Sequence, residues 1–198
     1  MKYSRILMSF AALLPLLLFV FPLWSITLEA PQYPTPLGMD IYINDFADKN
    51  PHDIKNINLM NHYVGMKYIP EAIPEFKIFP AGIIITSVLG LALAFLANHK
   101  WFLYWGILMV LLSAAGLYDF YLWEHDYGHN LDPKAIMKFT NPDGSAMGFQ
   151  PPLFGTKKIL NFVAHSYPQL GAFSLGVGIV LSFIAYWKGR KELKLTAA

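Results

Sequence analysis

Between Trp101 and Leu117 the chain carries no charged side chain, and three other runs share that character: roughly 6–28, 78–97 and 160–187. With the third run extended to Trp123, each reaches the roughly 20 residues that a helix needs to cross a hydrocarbon core about 30 Å thick. Inside such a core every backbone N–H and C=O must find a partner within the segment itself, so the runs read as helices. Charged residues make up only 14% of the chain, against about 25% in soluble domains. The sequence therefore predicts an all-α membrane protein with four transmembrane helices, at about 6–28, 78–97, 101–123 and 160–187. Two polar loops, 29–77 and 124–159, complete a single unit as a mostly irregular cap, being too short and too tied to helix ends for domains of their own.

Lys2 and Arg5 precede the first run, which begins like a secretory signal. Its apolar length exceeds the roughly 7 to 15 residues of a signal peptide, and no small-x-small cleavage pattern follows. A retained anchor is expected, with Trp24 at the membrane surface. Lys2, Arg5, Lys100, Lys188, Arg190, Lys191 and Lys194 all fall on one side of a four-span arrangement. By the positive-inside rule that side, with both termini, is cytoplasmic, and the loops face the periplasm across an inner membrane.

Within the first loop, prolines 31, 34 and 36 favour extended backbone. The alternation of Met39 to Phe46 predicts one strand. A short helix is expected over His52 to Val64, with Asn50 as its cap and Pro51 at its first position. Asn98-His99-Lys100 leaves room only for a tight turn between antiparallel spans. Lys157 to Ser166 reads as an amphipathic helix on the membrane surface that bends into the last span at Pro168. Gly171, Gly176 and Gly178 give that span a small-residue face.

The chain has no cysteine, which removes disulfides, thiolate zinc sites and iron–sulfur clusters. It has no P-loop, GxGxxG or HExxH, and no basic stripe outside the last helix that would fit nucleic acid. Any metal must use His, Met, carboxylate or amide oxygen. His62 and Met66, four apart, would share a helix face, and imidazole with thioether suits copper. The bland alternative is a surface His62 between core-facing Met60 and Met66. His125 and His129 are also four apart, and Glu124 or Asp126 could orient a ligating ring; capping and hydrogen bonding at the end of the span is the competing use. Asp119 is an acid within an apolar span, suited to packing or proton balance. Met137, Met147 and His165 lie in or beside the second loop.

Three motifs carry a resemblance. They are Ala30-Pro31-Gln32-Tyr33-Pro34 with Leu37-Gly38-Met39; Asn56-Ile57-Asn58 with Asn61-His62-Tyr63 and Gly65-Met66; and Asp119-Phe120-Tyr121 with Trp123-Glu124 and Asp126 to Pro133. Together with Gln150-Pro151-Pro152-Leu153, they resemble an uncharacterised family of small four-span membrane proteins. Its members are encoded beside the maturation genes of nitrous oxide reductase, a periplasmic copper enzyme. The resemblance covers nearly the whole chain and implies a setting in denitrification, not a mechanism. His62, Met66 and His129 stand inside the matching motifs.

The leading expectation is a non-enzymatic accessory factor that handles copper, held by His62, Met66 and His129. Its partners would be membrane lipid and a periplasmic or membrane protein such as nitrous oxide reductase or its maturation factors. Met60, His125, His165, Glu124 and Asp126 are reserve or supporting ligands. A structural subunit without its own metal, and a redox or quinol-reactive subunit using His62 and His129 as haem ligands, remain the alternatives.

Overall fold

The computed structural model describes residues 2–196. In chain order the elements are α1 (Lys2–Leu13, continued as a 3-10 turn over Leu14–Phe19), β1 (Trp24–Glu29), β2 (Leu37–Ile41), β3 (Phe46–Asp48) and α2 (Asp53–Val64). They continue with α3 (Glu75–Leu96), α4 (Lys100–His129), β4 (Gly155–Ile159), β5 (Phe162–Pro168) and α5 (Leu170–Thr196). Four helical segments have the length and apolarity to cross a membrane: Lys2–Phe19, Glu75–Leu96, Lys100–His129 and Leu170–Lys194.

The four helices pack through small residues. Met8, Ala11, Ala12, Ala94, Phe102, Trp105, Met109 and Ala185 form one buried cluster. Without water to expel between helices in lipid, close contact supplies the attraction. At Gly90 an added Cβ would stand 2.7 Å from the Ala12 Cβ and 2.8 Å from the Trp105 ring nitrogen, which donates to the Thr86 carbonyl at 2.8 Å. Of the expected small face on α5, Gly171 and Gly178 meet the first helical segment and its exit closely, whereas Gly176 faces open space.

Ser4 donates to Glu192 at 3.1 Å, and His99 stacks on Tyr186. Both chain ends and the α3–α4 turn therefore lie at one end of the bundle. The other end carries a five-stranded antiparallel sheet in the order β3-β2-β1-β5-β4. This corrects the expected all-α class with an irregular cap. β1 pairs with β5 along its whole length, from Trp24↔Pro168 to Glu29↔Val163, so strands from both polar loops share one sheet.

The first run was expected to remain helical through Leu28. Instead Pro15 opens a 3-10 turn, Pro22 stops it, and Trp24, Ile26 and Leu28 alternate with Ser25, Thr27 and Glu29 as a strand. Trp24 accordingly packs inside the cap, its ring nitrogen donating to Ser166 at 2.7 Å and its ring against Phe120. Residues 157–166 are likewise not a surface helix but the β4–β5 hairpin, turning at Leu160 with φ 56°. Phe162, Ala164 and Ser166 face inward in period-two alternation, which a strand can bury on one face and a helix cannot. The predicted strand at 39–46 is two strands, β2 and β3, joined by a turn in which Tyr42 donates its N–H to Asp45.

Helix α2 starts at Asp53, later than expected. Its lead-in is tied by carboxylates: Asp53 accepts from the backbone N–H groups of Gly38 and Asn50 and from the Asn50 side chain, and Asp48 accepts from Ile54 N–H. At its other end Gly65 adopts φ 81°, and Met66 N–H returns to the Asn61 carbonyl at 2.9 Å. Such a left-handed residue after the last turn reverses the chain and favours glycine.

Candidate ligand cavity

Between the inner face of the sheet, α2 and the last turns of α4 lies a cavity of about 610 Å³. Pockets for small organic ligands span about 300–1,000 Å³. Alternation along the strands places Ile26, Met39 and Ala164 on its wall. Helix α2 contributes Ile57, Met60 and Val64, and the reversal at Gly65 brings Met66 and Ile69 back into the same space. Trp123 and Glu124 enter from α4, and Met137, Phe139 and Phe149 close the side formed by the second loop. Exposed lining residues Gln32, Tyr63, Met137 and Asn161 mark the mouth.

Local hydrogen bonds hold the wall in place. Asp132 N–H donates to the Gly65 carbonyl at 2.8 Å and Met137 N–H to the Tyr63 carbonyl at 2.9 Å, stitching the second loop to the end of α2. Lys67 reaches Asp126 on α4 at 2.6 Å. Gly128 lies flat against Gln150, where an added Cβ would come within 2.5 Å, and its carbonyl accepts from Phe149 N–H at 2.8 Å. The glycine thus serves close approach, and α4 runs one residue past it.

Phe120, Glu124 and Gly128 recur every four residues on the face of α4 turned to the cap. Glu124 is wholly buried at 0% exposure, and among the described residues neither carboxyl oxygen has a hydrogen-bond partner. Lys157, whose field reaches it, donates instead to the Gln150 carbonyl at 3.1 Å. Leaving an ionised carboxylate bare in an apolar site costs several kcal/mol or more by desolvation, so the position demands a proton or a guest.

The sequence-predicted residues divide between this cavity and the surface. Met60 and Met66 line the cavity, whereas His62 is exposed and stacks on Tyr68 at 6.0 Å between ring centres. The expectation that His62 and Met66 share a helix face fails because α2 stops at Val64. His129 stacks on His125 at 4.3 Å on the exposed side of α4, with Nδ1 3.1 Å from the His125 carbonyl. His165 lies on the outer face of the sheet, 3.2 Å from Glu29 and 2.8 Å from the Thr156 hydroxyl. Asp126 is taken by Lys67, and half-buried Asp119 has the Glu75 carboxylate as its charged neighbour. Among the described residues, no group of three or more His, Asp or Glu is placed to hold a metal ion. Four thioethers, from Met39, Met60, Met66 and Met137, do converge on one space.

Glu124 was read as a supporting ligand, and its central place in the cavity was missed. The available signal was its spacing from Phe120 and Gly128, which puts all three on one packed helix face. No protein-family model, curated protein or solved structure matches this chain. Fold and cavity together define a protein with four helical segments long and apolar enough to cross a membrane and a ligand-sized apolar chamber in its sheet cap.

Proposed function

We propose that this protein is a membrane-bound accessory factor, not a catalyst, that holds a small and largely apolar ligand outside the bilayer for delivery to a partner. The observation that carries this is the cavity itself, which opens at Gln32, Tyr63, Met137 and Asn161 and has a wall of hydrocarbon, aromatic rings and thioethers. Lys2, Arg5, Lys100, Lys188, Arg190, Lys191 and Lys194 lie at the opposite end of the bundle, which supports cytoplasmic termini and a cap outside the inner membrane. Native mass spectrometry of detergent-purified protein provides the test. Wild type should release a small molecule, and Ala164→Phe, which fills the cavity from β5, should not; equal yields from both would remove the cavity from the account.

A second reading, copper handling for a periplasmic enzyme such as nitrous oxide reductase, is favoured by the four thioethers. Thioethers select Cu(I) where thiolate is lacking. This reading moves the ligands from His62, Met66 and His129 to Met66 with Met39, Met60 and Met137. Anaerobic Cu(I) loading separates the two sets: Met60→Leu with Met137→Leu should lower bound copper, and His62→Ala with His129→Ala should leave it unchanged.

A further inference from the structure

We propose that the cavity selects an organic cation, an ammonium group on an apolar body, with its charged head seated on Glu124. This rests on the cavity being a ligand site. Glu124 lies at the wall with neither oxygen partnered among the described residues, although more than nine-tenths of buried polar groups in proteins find partners; both oxygens are closed off from the space by their neighbours, so the side chain turns toward the cavity to meet a guest. A proton alone would cancel its charge yet leave an O–H and a carbonyl oxygen without hydrogen bonds. An ammonium head satisfies the charge and both oxygens at once.

The rest of the wall suits the same guest. Trp123, next to Glu124 in sequence, lines the cavity with Tyr63, Phe139, Phe149 and Phe162. Aromatic faces attract cations, most strongly where water is excluded. No lysine or arginine lines the cavity, so no protein cation competes for the carboxylate from within it. Neutral apolar molecules would gain the hydrophobic contacts while leaving Glu124 unanswered, and anions would be repelled by it. The site therefore discriminates by charge at its depth and by hydrophobicity along its length.

The test is calorimetric titration of the full chain in detergent with hexylammonium, 1-hexanol and hexanoate, each corrected for partition into empty micelles. The expected order in wild type is hexylammonium tightest, hexanol weaker and hexanoate weakest. Glu124→Gln keeps the shape of the side chain and removes its charge; it should weaken hexylammonium by about thirty-fold or more and leave hexanol within about three-fold. Hexanol or hexanoate binding wild type as tightly as hexylammonium overturns the assignment without any variant. So does full hexylammonium affinity in Glu124→Gln. If none of the three binds wild type, the cavity is not a ligand site, and the proposed function fails together with this one.

Discussion

In the helix bundle, Ser113, Ser174 and Ser182 each return their hydroxyl to a carbonyl about one turn back, at 2.7–2.8 Å, and Trp105 closes its N–H on Thr86. In the cap, an acid is buried without any such partner beside a space large enough for an organic molecule. The bundle fills its interior with alanine, glycine and two large aromatic residues, so that backbones touch. The cap holds its interior open with a sheet on one side and α2 with the second loop on the other. One region is built to be dense and the other to be occupied.

Mutations at the two centres should have opposite signs. Trp105→Ala removes a ring that is 1% exposed, together with its hydrogen bond, and should cost about 3–5 kcal/mol. The expected readout is a large fall in the detergent unfolding midpoint; a fall of only a degree or two would mean that the bundle is looser than its contacts indicate. Glu124→Leu exchanges a bare acid for hydrocarbon of similar size, and should raise stability by about 1–3 kcal/mol. Thermal unfolding without added ligand checks this, and a loss of stability would reveal a partner for the carboxyl.

Acid should affect the closed end of the bundle specifically. Burial, with Lys100 and Arg190 nearby, holds the His99 imidazole below its usual pKa. The unfolded chain therefore takes up a proton near pH 6.5 before the folded one does. The contribution of His99 is complete above that pH and is lost progressively as pH falls below it. His99→Gln should flatten the stability profile below about pH 6.5, measured as the unfolding midpoint against pH. The smallest effect is expected at Lys67, whose ion pair with Asp126 is about half exposed on both sides. Lys67→Ala should cost less than about 1 kcal/mol, and the cost should shrink with added salt; a larger value would place that pair in the structure of the cavity wall.

The bundle was legible in the sequence because long uncharged runs have few alternatives in a bilayer, and the tight Asn98-His99-Lys100 turn fixed α3 beside α4. The sheet was not. Trp24 to Leu28 and Phe162 to Tyr167 continue apolar runs, so their period-two alternation was absorbed into the neighbouring helices. Each strand has a local partner, β2 for β1 and β4 for β5, but the pairing that joins the two loops is distant: Trp24 and Ser166 are 142 positions apart. The same distance hid the cavity. Met60 and Met66 could be placed as core-facing, yet their convergence with Met39, Met137 and Glu124 depends on a sheet that no short window contains. The lead-in to α2 was misplaced for a smaller reason, because Asp48 and Asp53 tie the turn where Asn50 and Pro51 looked sufficient.

The pairing of β1 with β5 also bears on biosynthesis. During synthesis β1 is made before the α3–α4 hairpin and the whole second loop, and β5 only after them. Until then β1 presents an unpaired edge at the sheet end of the bundle, the kind of surface that invites wrong pairing. Contacts this distant in sequence form late and slowly. A truncated chain ending before Phe162 could insert three spans and still lack the strand that joins its two loops. Completion of the sheet therefore reports that β5 has been made, so the shape of the cap registers whether the chain extends past the second loop.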